Sequence, residues 1–390
     1  MHTAPPSPPI PFRGADITPF YTGRIARLAA DLVRAGRTVI PMHFGQPTAG
    51  TPPRARGAAA AALALDPIGY VESRDLVARL VRHYHDSYGV TVAPERILLT
   101  AGASAALVTT FTALFNCGDR IAIARPGYPA YRNALKALGR VAVEIDCGIE
   151  SRYRLSAAQL ASAPGPIHGV VVASPANPTG AMLDAAAYAA LAGVCRARGI
   201  TLISDEIYHG ITYGERAVSA LEIEPEAVVI NSFSKLYRMP GWRLGWLVVP
   251  EAVAARLSAY VMNLFLTPST IAQHAALAAF DDGEDLAASV AGYRVNRDLL
   301  MRELTAAGIG GLQAPDGAFY LYADISHLTD DSLTFCERLL IETGVSTAPG
   351  LDFDPVHGHG CIRFSFALRP PEIERAMALL RPWLERQPRR

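Results

Sequence analysis

The 390-residue sequence lacks a net charge, a membrane-length apolar run and any cysteine spacing typical of a metal site. Lysine plus arginine and aspartate plus glutamate each number 36, so we expect no nucleic-acid partner. We expect no membrane partner either, and residues 1–11 lack the apolar core of a secretory signal. The scattered cysteines indicate reduced thiols in a cytoplasmic protein with no metal. They are Cys117, Cys147, Cys195, Cys336 and Cys361.

Half of the residues are hydrophobic and 18% are charged, as in ordinary globular proteins, and the length allows two domains. Residues 1–14 are proline-rich and are expected to form a flexible tail. Helical spacing over 16–36 predicts an N-terminal segment, 15–44, which we expect to pack with the smaller domain. The pattern changes at about residue 285, which divides a large domain, 45–285, from a small domain, 286–390.

Short apolar runs alternate with helical stretches after about residue 96, which predicts an α/β fold with strands buried on both faces and paired in parallel. The run 244–249 follows the previous strand too closely for a crossover and is expected to lie antiparallel. The predicted strands are 97–99, 121–123, 141–143, 170–172, 202–203 and 228–230. The small domain is predicted to contain helices over 286–307, 333–342 and 372–384, with strands over 318–323 and 361–366.

Lys235 stands among small hydroxyl-bearing and apolar residues, and Arg243 follows eight positions later. Burial and nearby cations would lower the pKa of its amine, so that it could attack a carbonyl. The neighbouring serines and Arg243 could bind a phosphate. An imine-forming lysine beside a phosphate site suggests pyridoxal 5'-phosphate (PLP), whereas an isolated lysine of this kind is more often a solvated surface charge.

Other candidates follow predicted strands, where open α/β sheets bind their ligands. The turn at 100–104 could hold a phosphate at a helix N-terminus or be an ordinary strand–helix turn. Tyr128 could stack on a flat ring or lie in the core. Asn177, between two prolines, could face a ligand or belong to a rigid turn.

Two charged residues in apolar strands require partners. Asp205 could pair with a pyridinium nitrogen, and Tyr208 could then bond the ring oxygen; the alternatives for Asp205 are a metal ligand or a helix cap. Arg363 could meet an internal carboxylate or bind a substrate carboxylate with two hydrogen bonds.

Together these motifs resemble the class I/II aminotransferases of PLP fold type I. The stretches 174–180, 204–208 and 232–245 and the strand around Arg363 occur in the family's order, and the likeness runs from about Ile17 to the C-terminal helix. Residues 43–47 are similar to the family's Gly-x-Pro loop. The resemblance implies a large domain with a mostly parallel, seven-stranded sheet between helices and a smaller α+β domain.

The resemblance also implies roles for residues at matching positions. Lys235 matches the Schiff-base lysine and proton shuttle, and Asp205 matches the partner of the pyridine nitrogen. Tyr70 matches a tyrosine that reaches the phosphate of a neighbouring subunit, which implies a homodimer with shared active sites. The ring contacts implied are Tyr128, Asn177 and Tyr208; the phosphate contacts are Ala103, Ser104, Ser232, Ser234 and Arg243; the substrate contacts are Gly45, Asn177 and Arg363.

The implied activity is transfer of an amino group from an L-amino acid to a 2-oxo acid by a ping-pong mechanism. A PLP-dependent C–S (β) lyase on the same fold is the alternative, because fold does not settle reaction type. A nucleotide-binding protein is disfavoured, since the sequence has neither Gly-x-Gly-x-x-Gly nor a P-loop. Asp75 and Asp354 stand where the family often has glycine. If the family's backbone has a positive φ at these positions, aspartate would adopt it less readily than glycine, and the local loops would differ.

Overall fold

The computed structural model describes residues 17–64 and 68–390, and the tail predicted for residues 1–14 lies outside them. The α-helices of the described residues are α1 (Thr22–Arg34), α2 (Pro53–Ala62), α3 (Arg74–Tyr88), α4 (Gly102–Leu114), α5 (Pro129–Ala137), α6 (Ala157–Ala161), α7 (Ala185–Arg198), α8 (Glu251–Phe265), α9 (Thr270–Ala279), α10 (Gly283–Ala306), α11 (Ser332–Thr343) and α12 (Pro370–Glu385). The strands are β1 (Ile40–Pro41), β2 (Ile97–Thr100), β3 (Arg120–Arg125), β4 (Val141–Asp146), β5 (Gly169–Ala173), β6 (Thr201–Asp205), β7 (Val228–Ser232), β8 (Gly245–Val248), β9 (Tyr320–Asp324), β10 (Val345–Ser346), β11 (Ala348–Pro349) and β12 (Cys361–Ser365).

The central sheet of the described chain has seven strands in the order β2-β8-β7-β6-β5-β3-β4. Strand β8 pairs antiparallel with both β2 and β7, and the other pairings are parallel. The continuous apolar runs form this sheet because its strands are covered on both faces. The mostly parallel α/β fold predicted from the sequence is confirmed, and so is the antiparallel run at 244–249.

Two apolar clusters cover the faces of the central sheet. One contains Leu99, Val170, Val172 and Leu202, whereas the other contains the intervening Leu98, Val171 and Ile203. Neighbouring residues of a strand therefore point to opposite layers, which explains why both are apolar.

A third cluster gathers residues from α1 and β1 with residues from the C-terminal third of the chain. There β12 lies between β11 and β9, with antiparallel pairings, and β1 pairs in parallel with β10. The helical spacing over 16–36 places Ile25, Ala29 and Val33 on one face of α1, and this prediction is only partly correct: Ile25 and Ala29 are buried, but Val33 is 55% exposed. The division into domains at 45 and 286 stays a proposal.

Three neighbouring strands of the central sheet bring the polar motifs together. Strands β5, β6 and β7 are parallel neighbours, so their carboxyl ends meet at one edge of the sheet, where the polar motifs follow. Within residues 17–64 and 68–390, no helix combines the length and apolar character that crossing a bilayer requires.

Candidate active site

A cavity of about 300 Å³ lies at the carboxyl ends of the central strands and brings together most of the predicted site residues. The predicted residues that line it are Gly45, Ala103, Ser104, Tyr128, Asn177, Asp205, Tyr208, Ser234, Lys235, Arg243 and Arg363. Ser232 lies behind this lining, and Tyr70 lies outside it. The cavity is also lined by residues for which no role was predicted, namely Phe20, Phe44, Leu107, Tyr131, Ile207 and Tyr320.

Lys235 follows β7 and directs its amine into the cavity. Its Nζ donates a hydrogen bond to the carbonyl of Gly45 at 2.6 Å and lies 5.8 Å from the centre of the Tyr208 ring. Burial, with help from the Arg363 and Arg243 charges, lowers the pKa of Lys235 to about 8, although Asp205 opposes the shift. Near neutral pH a useful fraction of this amine is uncharged, as a nucleophile or base requires.

Asp205 ends β6 and is 3% exposed. One carboxylate oxygen accepts a hydrogen bond from the Tyr131 hydroxyl at 2.5 Å, and the other accepts one from the Ile207 amide at 3.1 Å. Burial raises the pKa of Asp205, while these hydrogen bonds and Lys235 favour its charged form. A cationic partner in the cavity would likewise favour the charged form of Asp205.

A corner suited to a phosphate is formed by the start of α4 and by Arg243. Gly102 has φ +78° there, which favours glycine, and a Cβ on it would lie 2.9 Å from Cζ of Arg243 and crowd the guanidinium in its present position. The Ser232 and Ser234 hydroxyls are 2.8 Å apart, and Ser232 donates to the carbonyl of Leu244 at 2.9 Å. Ser232 therefore contacts the corner through Ser234.

Arg363 lies on β12 and is 2% exposed. Its guanidinium donates to the Asn177 side-chain oxygen at 2.9 Å and to the His43 carbonyl at 2.5 Å. Its Cζ lies 4.4 Å from the ring centre of Tyr320 and 4.6 Å from that of Phe353. Within the described chain its Nε has no hydrogen-bond partner, and no carboxylate bonds to the guanidinium, so it can still receive an anionic ligand.

Tyr320 joins three parts of the site that lie far apart in sequence. Its hydroxyl is 2.7 Å from that of Tyr208, its ring stacks on Arg363, and a Cβ on Gly45 would overlap its hydroxyl oxygen. Tyr320 lies within the strand predicted over 318–323, but no site contact was predicted for it. The strand begins two residues later than predicted, because Ala318 has φ +57° and cannot continue it.

The two residues that replace family glycines cause no backbone strain, since neither Asp75 nor Asp354 has a positive φ. Asp75 lies in the first turn of α3, where the helix dipole favours a negative charge. The buried Asp354 accepts hydrogen bonds from the amides of Val356 and His357 at 2.8 and 2.9 Å and lies 3.4 Å from Nε of Arg125.

Tyr70 is 82% exposed and does not contact the cavity of its own chain. Its segment is held to α9 and the loop before it: Gln273 donates to the carbonyl of Val71, and Thr270 donates to that of Gly69, at 2.8 and 2.7 Å. The segment thus presents the Tyr70 side chain outward.

Comparison with known proteins gives one consistent answer. The family model for aminotransferase class I and II matches residues 37–380. Valine–pyruvate aminotransferase of Mycobacterium tuberculosis is 43% identical, over 96% of this chain and 98% of that protein. Aspartate/prephenate aminotransferase of Thermus thermophilus is 32% identical, over 92% and 94%. The crystal structure of an aminotransferase from Mycobacterium tuberculosis superposes with a TM-score of 0.94 at 42% identity, covering 98% of this chain and all (100%) of that one.

Proposed function

Because this chain belongs to the aminotransferase class I and II family, we propose that it moves the amino group of an apolar L-amino acid to a 2-oxo acid with PLP bound around Lys235. The observation that carries the proposal is the Lys235 amine, whose pKa is lowered to about 8 in a cavity that it shares with Asp205 and Arg363. The relatives named above are aminotransferases, and nothing in them favours the C–S lyase alternative.

The residues of the cavity fit PLP at each of its functional groups. Lys235 would hold its aldehyde, Asp205 its ring nitrogen, and Asn177 and Tyr208 its ring oxygen, while Tyr128 would lie against the ring. The start of α4, with Ala103 and Ser104, would hold the phosphate together with Ser234 and Arg243. The glycine that makes room for the Arg243 guanidinium supports this use, since a Cβ at residue 102 would crowd it.

When bound, PLP supplies an electron sink for negative charge that develops at the α-carbon of the amino acid. Lys235 can accept the α-proton and release it again, because an amine with a pKa of about 8 exchanges protons readily near neutral pH. Asp205 stabilises positive charge on a ring nitrogen. Arg363 and Asn177 orient the α-carboxylate. Since donor and acceptor share these contacts, they bind in turn.

The remaining lining favours an apolar side chain on the donor. The cations among the described lining residues are Lys235, Arg243 and Arg363, each with a role above, so this chain's own lining offers no further cation to a second carboxylate. Phe20, Phe44, Leu107 and Ile207 line the same space. The valine–pyruvate aminotransferase relative supports this donor class.

We further propose a homodimer in which Tyr70 reaches the phosphate site of the partner. An exposed apolar patch around Tyr70 supports it, because such patches mark interfaces. The patch consists of Ile68, Tyr70, Val71, Leu264, Phe265 and Leu266, each at least 41% exposed. A dimer mass in light scattering, and weaker cofactor binding by Tyr70→Phe, are the expected results.

We also propose a cytoplasmic location, which the five free cysteines support.

The sharpest test uses the lysine content, because Lys136 and Lys235 are the only lysines in the sequence. Borohydride reduction of the yellow protein should fix the cofactor on the Lys235 peptide, as read by mass spectrometry. Lys235→Ala should lose the visible absorbance and the activity. Lys136→Ala, at an exposed site on α5, is the matched control and should keep both. A colourless protein that binds no added PLP would refute the proposal.

A further inference from the structure

Phe20 contributes to the wall of the active-site cavity from the N-terminal segment, just before α1. Its side chain is 44% exposed, so its own burial does little to hold it in place. Its carbonyl accepts the Gly23 amide at 2.9 Å, which ties its backbone to the first turn of the helix. The position of the ring therefore depends on how firmly the start of α1 is held.

The Asp352 carboxylate holds the start of α1. It accepts hydrogen bonds from the amide of Tyr21 at 2.7 Å and from the amide and hydroxyl of Thr22 at 2.8 and 2.6 Å. Tyr21, at the N-cap position, makes no side-chain cap, and the first turn of α1 contains no acidic residue. Asp352 thus acts as the helix cap from 330 residues away, where its negative charge is favoured by the dipole.

A second anchor lies on the other side of Phe20. The Asn133 side chain on α5 donates to the carbonyl of Thr18 at 3.2 Å. Helix α5 begins directly after Tyr128, which also lines the cavity. Phe20 therefore lies between two tethers, and both lead back to the site.

The residue after Asp352 connects the same loop to the substrate arginine. The buried ring of Phe353 lies 4.6 Å from the Arg363 guanidinium, and its carbonyl accepts the Gly127 amide at 3.1 Å. The Asp352 carbonyl accepts a hydrogen bond from the Arg132 guanidinium at 3.1 Å. The loop that positions Phe20 is thus fixed relative to the group that binds the α-carboxylate.

We propose that Phe20 is a specificity-determining residue, whose ring contacts the side chain of the amino donor and favours branched aliphatic donors over alanine, and that Asp352 is the positioning residue that holds it there. The inference rests on the proposed transamination and deepens it. A donor held at its carboxylate by Arg363 meets Phe20 at a distance set by the loop around Asp352. Larger apolar side chains gain that contact, whereas a methyl group gains little of it.

The test is the ratio of kcat/KM for L-valine to that for L-alanine, measured on the holoenzyme with pyruvate or 2-oxoglutarate as acceptor. Phe20→Ala should lower the valine value about tenfold and leave the alanine value within about twofold, as expected for lost apolar contact in a pocket. Ile17→Ala, in the same segment but outside the cavity, is the matched control and should leave the ratio unchanged. The ratio is insensitive to the fraction of active protein, so general damage does not mimic the effect.

Asp352→Asn should lower the same ratio, and so should the milder Thr22→Val, which removes one of the hydrogen bonds to Asp352. If Asp352 acts through Phe20, the double variant with Phe20→Ala should lose no more selectivity than Phe20→Ala alone. Should Asp352→Asn fail to fold, Phe20→Ala and Thr22→Val still decide.

Two failures are distinguishable. Normal transamination with an unchanged ratio in Phe20→Ala would overturn this inference and leave the proposed function intact. Absence of transfer from every amino acid, with PLP bound, would refute the proposed function and this inference with it.

Discussion

Substitution of Gly45 by alanine tests how closely the site is packed. The carbonyl of Gly45 accepts the Lys235 amine, and a Cβ there would overlap the Tyr320 hydroxyl and lie 2.8 Å from its Cζ. Tyr320 is 1% exposed, hydrogen-bonded to Tyr208 and in contact with the Arg363 guanidinium, so any movement of its ring disturbs both contacts. The ring must retreat by about 0.6 Å at Cζ to reach ordinary contact, and further at its oxygen.

The expected cost follows from that displacement. Overpacking of this kind costs about 1–3 kcal/mol in stability. Because the ring supports Arg363, the α-carboxylate site shifts with it, and a misplacement of about 1 Å can cost about 100-fold in rate. We therefore expect Gly45→Ala to lower kcat/KM for L-valine by about 100-fold while the PLP absorbance persists.

The assay is a spectroscopic half-reaction with L-valine, together with thermal unfolding. Gly57→Ala is the control, because no atom lies within 4 Å of a Cβ there and alanine favours helix α2 by about 0.5–1 kcal/mol. In a Tyr320→Phe background the loss caused by Gly45→Ala should shrink, since the overlapping oxygen is gone. Wild-type kinetics for Gly45→Ala, or an equal loss in both backgrounds, would contradict the reasoning.

Three further predictions concern buried ionisable groups. Arg363→Ala should raise KM for amino acids by at least about tenfold with PLP still bound, because the α-carboxylate loses its partner; unchanged kinetics would remove the role. Burial raises the pKa of Glu206 from 4.5 to about 8, so its stabilising contribution is complete below pH 4.5 and is lost as the pH rises toward 8. Glu206→Gln should abolish that loss, with slope at most about 1.4 kcal/mol per pH unit, in denaturant titrations across this range. Burial lowers the pKa of His209 from 6.5 to about 3, so its contribution is lost as the pH falls from 6.5, and NMR should find the imidazole neutral above about pH 5.

Much of the fold was predictable because its strands are buried on both faces and therefore appear as continuous apolar runs. The short gap before β8 sufficed to predict its antiparallel direction. The alanine-rich helices α2 and α9, by contrast, went unpredicted. They pack through small side chains such as Ala55, Ala59, Ala272 and Ala276, and alanine is too weakly apolar to give a periodic signal.

The site residues also divide into those that the sequence predicts and those that it does not. Lys235, Asp205 and Arg363 are charges inside apolar segments, so each predicts a partner from sequence alone. Tyr320 and Phe20 are aromatic residues of ordinary sequence context, and nothing local separates a cavity wall from a core. Asp352 was missed because its partners are 330 residues away. Tyr131, which bonds to Asp205, was also missed, although it lies only three positions after the predicted site residue Tyr128.

Asp352, Phe353 and Asp354 are consecutive, yet they serve the start of α1, the Arg363 guanidinium and Arg125, respectively. Because these contacts are made by consecutive residues, a one-residue insertion or deletion would move all three side chains away from their partners at once. Such a change in length should lower donor discrimination, affinity for the substrate carboxylate and thermal stability together. The loop should accordingly tolerate exchange of side chains one at a time far better than any change in its length.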